Sequence, residues 1–149
     1  MTTFALLLAL GCPALGASLF APHLDFWAPR FGVDRDVAAV VLARESHCRP
    51  WVQSRAGDHG GWQLRPGAAT LGKHTYTEDQ LHMPSISTVL ALRWMAIGRD
   101  KCGPLLMLGW YGSGKCKPTK YAKRIKARLA RAKRQCRQIV AAVAAEGTS

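Results

Sequence analysis

The chain predicts a mainly α fold with a small β-hairpin or loop set between its helices. Apolar residues recur at helical spacing over residues 34–46, 85–99 and from 118 onward. Strand-type alternation is sparse. Pro50, Gly57, Gly60, Gly61, Pro66 and Gly67 break residues 50–67 into turns, which leaves Gly57–Leu64 as the hairpin candidate. With 149 residues, 48% hydrophobic and 20% charged, the chain suits one domain with a core, and a disordered chain is excluded.

The first segment, MTTFALLLALGCPALGAS, has an apolar run from Phe4 to Gly11, then the small residues Ala14, Gly16, Ala17 and Ser18. It reads as a signal peptide over residues 1–18, followed by a single domain over 19–149. The expected location is therefore outside the cytoplasm, periplasmic or extracellular. No Lys or Arg precedes the run, and a buried N-terminal helix is the rival reading. A lipoprotein reading of Ala9-Leu10-Gly11-Cys12 is weaker, because the pattern before the cysteine is imperfect.

Residues 19–33, with Pro22, Pro29 and Gly32 among aromatics, read as an entry loop or short helix. Asp34 is placed to cap the next helix, whose apolar face is Val37, Val40, Val41 and Leu42. Glu45 follows Val41 by four residues and shares that inward face. Pro50 stops the helix. After the turn-rich segment, Gly67–Leu71 is the start of another helix. Thr77 with Glu78 and Asp79 has the look of a further start. Ser85–Arg99 is a helix with Ile86, Val89, Leu90, Arg93, Trp94 and Ile97 at helical spacing. Gly103–Leu108 opens a short helix that runs into a Trp110–Gly114 turn. From Pro118 a long basic helix carries the stripe Tyr121, Ile125, Leu129, Ala132, Cys136, Ile139 and Val143.

Five cysteines are present; removing the leader takes Cys12 and leaves Cys48, Cys102, Cys116 and Cys136. Four cysteines allow three pairings. The favoured set is Cys102–Cys116 with Cys48–Cys136, in an oxidising compartment. No Cys-x-x-Cys or His-Glu-x-x-His spacing occurs, so neither a metal nor another cofactor is expected. Lys and Arg number 21 against 9 Asp and Glu, a formal charge of +12. That charge predicts an anionic partner: nucleic acid, an acidic membrane surface, or an anionic wall polymer.

The 24 residues from Ala43 to Pro66 are the most informative. They set Glu45 against apolar surface, an environment that keeps a carboxyl protonated and makes it a proton donor. Glu45-Ser46 is followed by Ser54-Arg55-Ala56-Gly57-Asp58-His59-Gly60-Gly61-Trp62-Gln63-Leu64-Arg65-Pro66, then by Pro84-Ser85-Ile86 and by Tyr111-Gly112-Ser113-Gly114. In this order the features resemble the soluble-type lytic transglycosylases (SLT domain) of the lysozyme-like superfamily. The likeness covers roughly residues 34–125.

The resemblance implies a lysozyme-like α (α+β) domain with the hairpin or loop beside a cleft. It implies cleavage of the β-1,4 bond between N-acetylmuramic acid and N-acetylglucosamine, with Glu45 as acid and base. Gln63, Tyr111, Trp62 and Trp110 become substrate contacts, as does Ser46, which has a structural reading beside it. Two departures stand out. Asp58 occupies a position usually held by a small residue, and Asp58-His59-Gly60-Gly61-Trp62-Gln63 is similar to the Asp-x-Gly-x-x-Gln stretch of animal-type lysozymes. Asp58 is thus the candidate second carboxylate of a hydrolase. Gly112 replaces the usual Asn. The alternative from another class is a basic, non-enzymatic protein that binds wall or nucleic acid, although nucleic acid suits an exported chain poorly. Nothing in the sequence demands more than a monomer.

Overall fold

The computed structural model describes residues 1–67 and 73–146. Seven helices are found among them: α1 Thr3–Ala9, α2 Ala14–Arg30, α3 Arg35–Ser46, α4 Glu78–His82, α5 Pro84–Cys102, α6 Met107–Ser113 and α7 Lys120–Glu146. The expected helix start at Gly67–Leu71 lies, from residue 68 on, outside the described residues.

The expected α+β class does not hold. Among the described residues there is no β-strand. The segment that was to form the hairpin makes only two isolated bridges, Gln53 to His59 and His59 to Leu64. The reason is local. Gly57 (φ 83°), Gly60 (φ 75°) and Gln63 (φ 52°) all sit in the left-handed region, so the chain is never extended long enough to build a ladder. What remains is an irregular loop, stapled by single bonds such as Gly60 N–H to Val52 C=O at 2.8 Å.

The residues 19–33 region also differs from expectation. Residues 19–30 of it belong to α2, which runs through Pro22 and Pro29. An interior proline costs about 3 kcal/mol. Burial of Phe20 and Leu24 at about 2 kcal/mol each, with Ala17, Ala21 and Ala28 at about 0.8 kcal/mol each, offsets two such costs.

In α3 the cap is as read: the Asp34 carboxylate accepts from the N–H groups of Asp36 (2.8 Å) and Val37 (3.0 Å). Val40, Val41 and Leu42 are fully buried. α1 also enters the core. It packs on α2, α3 and α7, burying Leu6 and Leu7, with Leu10 beyond its end. Arg128 of α7 donates to the Leu10 carbonyl at 2.6 Å, and Thr3 donates to Asp25.

Cys102 pairs with Cys116, but Cys48 pairs with Cys12, and Cys136 is free. The expected Cys48–Cys136 bond is thereby corrected. α1 delivers Cys12 to the end of α3, where the Cα atoms stand 5.4 Å apart. His47 and Cys48 both take left-handed conformations there, and the Cys48 carbonyl presses so close on Gly16 that a Cβ would not fit. Cys136 lies further along α7, facing the first turns of α1.

α7 is buried along only half its stripe. Ile125 and Ala132 are buried, Tyr121, Leu129 and Cys136 are half-buried, and Ile139 and Val143 face solvent.

Candidate functional site

α3 ends beside the first turn of α7, and α6 packs on both α5 and α7. These helices and the loop enclose a cleft of about 460 Å³. Glu45 projects into it from the last turn of α3. Asp58, Trp62, Gln63, Leu64 and Arg65 contribute from the loop, with Trp94 from α5, Tyr111 and Gly112 from α6, and Tyr121 from α7.

Glu45 is half-buried. Burial raises its pKa above the ordinary 4.5, and it outweighs the hydrogen bond from Tyr121 and the charge of Arg44, which pull the other way; the Asp58 charge adds a small further push upward. The group is held toward its proton-carrying form, as an acid requires. Tyr121 Oη donates to Glu45 Oε1 at 2.6 Å. Burial, with the nearby Glu45 charge, pushes the phenols of Tyr111 and Tyr121 above their usual range, so both remain donors.

Sequence reasoning did not single out Tyr121 for the site, nor Trp94. Tyr121 was assigned to the apolar stripe of the last helix, and it does lie on that stripe. The signal that could have found it is a hydroxyl at the very start of an otherwise aliphatic row. Its neighbour Gly112 matters too: a Cβ there would come 3.3 Å from the Tyr121 ring, so glycine leaves the ring room to reach Glu45.

Asp58 shares the cleft but is already occupied. It accepts from Ser54 Oγ at 3.1 Å and from Arg65 Nε at 3.0 Å. Gln63 spends its amide on the loop, donating to the Gly60 and Val52 carbonyls at 2.9 and 3.3 Å. Trp62 is 1% exposed and donates through Nε1 to Thr88 at 3.0 Å, which pins the loop to α5. Tyr111 Oη donates to the Trp62 carbonyl at 3.2 Å. Three of the expected substrate contacts thus also shape the wall of the cleft.

Two others stand back from it. Ser46 is buried, donates to the Leu42 carbonyl and accepts from the Arg49 N–H, and does not line the cleft. Trp110 lies behind Trp94, ring centroids 4.8 Å apart, and it is Trp94 that faces the cleft. Trp51, 60% exposed, is elsewhere. His47 caps α3, and His59 is buried against His82 and Glu78. Among the described residues no group of three or more His, Cys, Asp or Glu side chains is placed to hold a metal ion.

The cleft therefore combines one carboxyl biased toward protonation, a tyrosine bonded to it, and the cations Arg44 and Arg65 on the rim. Removing the tyrosine hydroxyl is informative. In Tyr121→Phe the bond that favours the Glu45 carboxylate is gone, so the pKa of Glu45 rises further. If Glu45 serves as an acid, which works only below its pKa, the alkaline limb of kcat/KM is expected to move to higher pH while the maximal rate falls. A pH–rate profile of this variant checks it; a limb that stays in place or moves down contradicts the assignment.

The family model described as Transglycosylase SLT domain matches residues 23–134, which include every residue that lines the cleft. No curated protein matches the chain.

Proposed function

The chain belongs to the transglycosylase SLT family, a class of peptidoglycan-cleaving lytic transglycosylases, and on that premise we propose that Glu45 is its acid and base. The observation that carries this is the half-buried Glu45 carboxyl, bonded to Tyr121 and facing a cleft of sugar-binding size. Glu45 gives its proton to the glycosidic oxygen as the bond to the muramic sugar breaks. Positive charge develops on the anomeric carbon. The 6-hydroxyl of the same sugar closes onto that carbon, and Glu45, now a carboxylate, takes the hydroxyl proton back. The products are a 1,6-anhydro end and a free 4-hydroxyl, with no water consumed. Tyr121 stabilises the carboxylate between the two steps.

The hydrolytic alternative needs Asp58 as a second free carboxylate. Its bonds to Ser54 and Arg65 support a structural role instead, and with it the transglycosylase route. Asp58→Asn keeps a Ser54 partner, loses the ion pair with Arg65 and removes the small upward push of the Asp58 charge on Glu45. Its cleavage rate is expected to stay within about fivefold of the parent, since a surface-type pair is worth about 1 kcal/mol or less. Mass spectrometry of the digest is expected to show 1,6-anhydro ends; reducing ends with a severe loss in Asp58→Asn would establish a lysozyme.

The substrate is the peptidoglycan glycan strand. Arg44, Arg65, and the net charge of +12 favour a strand that bears peptide carboxylates. Nucleic acid is not part of the proposal, and a monomer suffices. Export completes it: two disulfides suit an oxidising compartment. Read from sequence alone, export removes residues 1–18. The packing of α1 and the Cys12–Cys48 bond favour a protein that keeps them. The intact mass of the exported protein distinguishes the two.

A further inference from the structure

A second concavity, of about 950 Å³, lies between α1 and the distal half of α7 and shares no residue with the Glu45 cleft. Ala5, Leu8 and Ala9 form one wall, and Cys136, Ile139 and Val140 the other. Two of its apolar side chains stand in solvent, Ile139 and Val140 at 61 and 68% exposed, and Val143 on the next turn of α7 is 64% exposed. From 139 to 145 the helix reads IVAAVAA, without a polar side chain. Single exposed apolar residues are ordinary, but a contiguous apolar run of this kind marks a contact surface. Immediately before it, α7 carries Arg131, Lys133, Arg134 and Arg137, of which Lys133 and Arg137 also line the groove.

We propose that this groove and the apolar end of α7 form a docking surface for an anionic phospholipid bilayer. Charge selects that occupant. A second copy of the chain would bring +12 against +12, so the charges that favour an anionic surface oppose self-association. The layering agrees. A bilayer interface offers phosphate above an apolar interior, matching a basic collar next to an apolar segment. A glycan strand or a nucleic acid offers charge without an apolar phase. Among the described residues no helix is long and apolar enough to cross a membrane, so the contact is made from one side. It leaves the Glu45 cleft open, and it does not rest on the chemistry assigned to Glu45.

The test uses the full chain and flotation with phosphatidylcholine vesicles that either contain or lack phosphatidylglycerol, at near-physiological salt. Binding is expected only with phosphatidylglycerol. Arg134→Gln with Arg137→Gln should weaken it by about fivefold per charge removed. Ile139→Ser, Val140→Ser and Val143→Ser combined keep every charge and should weaken it by about tenfold or more. A second reading needs no substitution. An environment-sensitive thiol dye on Cys136, the one free cysteine among those described, should shift its emission to the blue on phosphatidylglycerol vesicles. Equal binding by the triple serine variant, an unmoved dye, or a concentration-dependent dimer that the same variant abolishes would each overturn the proposal.

Discussion

Glu45→Gln is expected to lower cleavage of glycan strands by about 10²- to 10⁴-fold, the usual contribution of a general acid, and to raise thermal stability at neutral pH. The two effects have one cause. Burial disfavours the charged form of Glu45 and lifts its pKa above 4.5. Below pH 4.5 the group is protonated in folded and unfolded chains alike, and it costs nothing. Between that value and the raised folded pKa, the unfolded chain releases a proton that the folded protein keeps, so stability falls as pH rises. Glutamine has nearly the same shape, can still accept from Tyr121, and never ionises. Thermal melts of the parent and the variant should therefore converge in acid and separate toward neutral pH, with the variant higher. Release of soluble muropeptides gives the activity. A variant that clears murein, or melts lower than its parent at pH 7, would remove Glu45 from the role.

The second large effect concerns stability. Replacing both Cys12 and Cys48 by serine should cost about 4 kcal/mol, because the bond closes a loop with a sequence separation of 36. The same change at Cys102 and Cys116, separation 14, should cost about 3 kcal/mol. Against a typical stability of about 5–15 kcal/mol, the first loss leaves a marginal protein. Substituting both members of a pair matters, since a lone Cys48 thiol would be free to exchange. Urea unfolding under oxidising conditions measures each cost. Should the Cys12–Cys48 pair prove the cheaper of the two to lose, α1 is not held as the structure has it. Deleting residues 1–18 is expected to be worse still, because Leu6, Leu7 and Leu10 leave the core with the bond.

Much of the site was legible because it is local. Asp34 caps the helix that carries Glu45, and four-residue spacing from Val41 turns Glu45 inward. The Glu45-to-Gln63 block was readable as a unit. Tyr121 was not: it lies 76 residues from Glu45, and only the packing of α7 on α3 joins them. Trp94 and Trp110 show the same limit. Both were visible as aromatics, but which one faces the cleft depends on how α5 and α6 pack.

Local rules misled where burial outweighed them. Pro22 and Pro29 argued against a long helix, yet the buried stripe of α2 sustains one. Gly57–Leu64 had turn chemistry on every side and no stretch long enough for a ladder.

By itself the sequence determined the caps, the helical faces, the inward carboxyl and the family block, since each depends on residues within a few turns of one another. The tertiary structure alone decided the partner of Cys48, the tyrosine that touches Glu45, the occupation of Asp58 by Arg65, and the apolar length of α7 left in water. Those depend on contacts between segments 30 or more residues apart, with the short-range Asp58–Arg65 pair set by how the loop closes. Such contacts are chosen by which surfaces pack most completely, and the order of residues along the chain does not encode that one pair at a time.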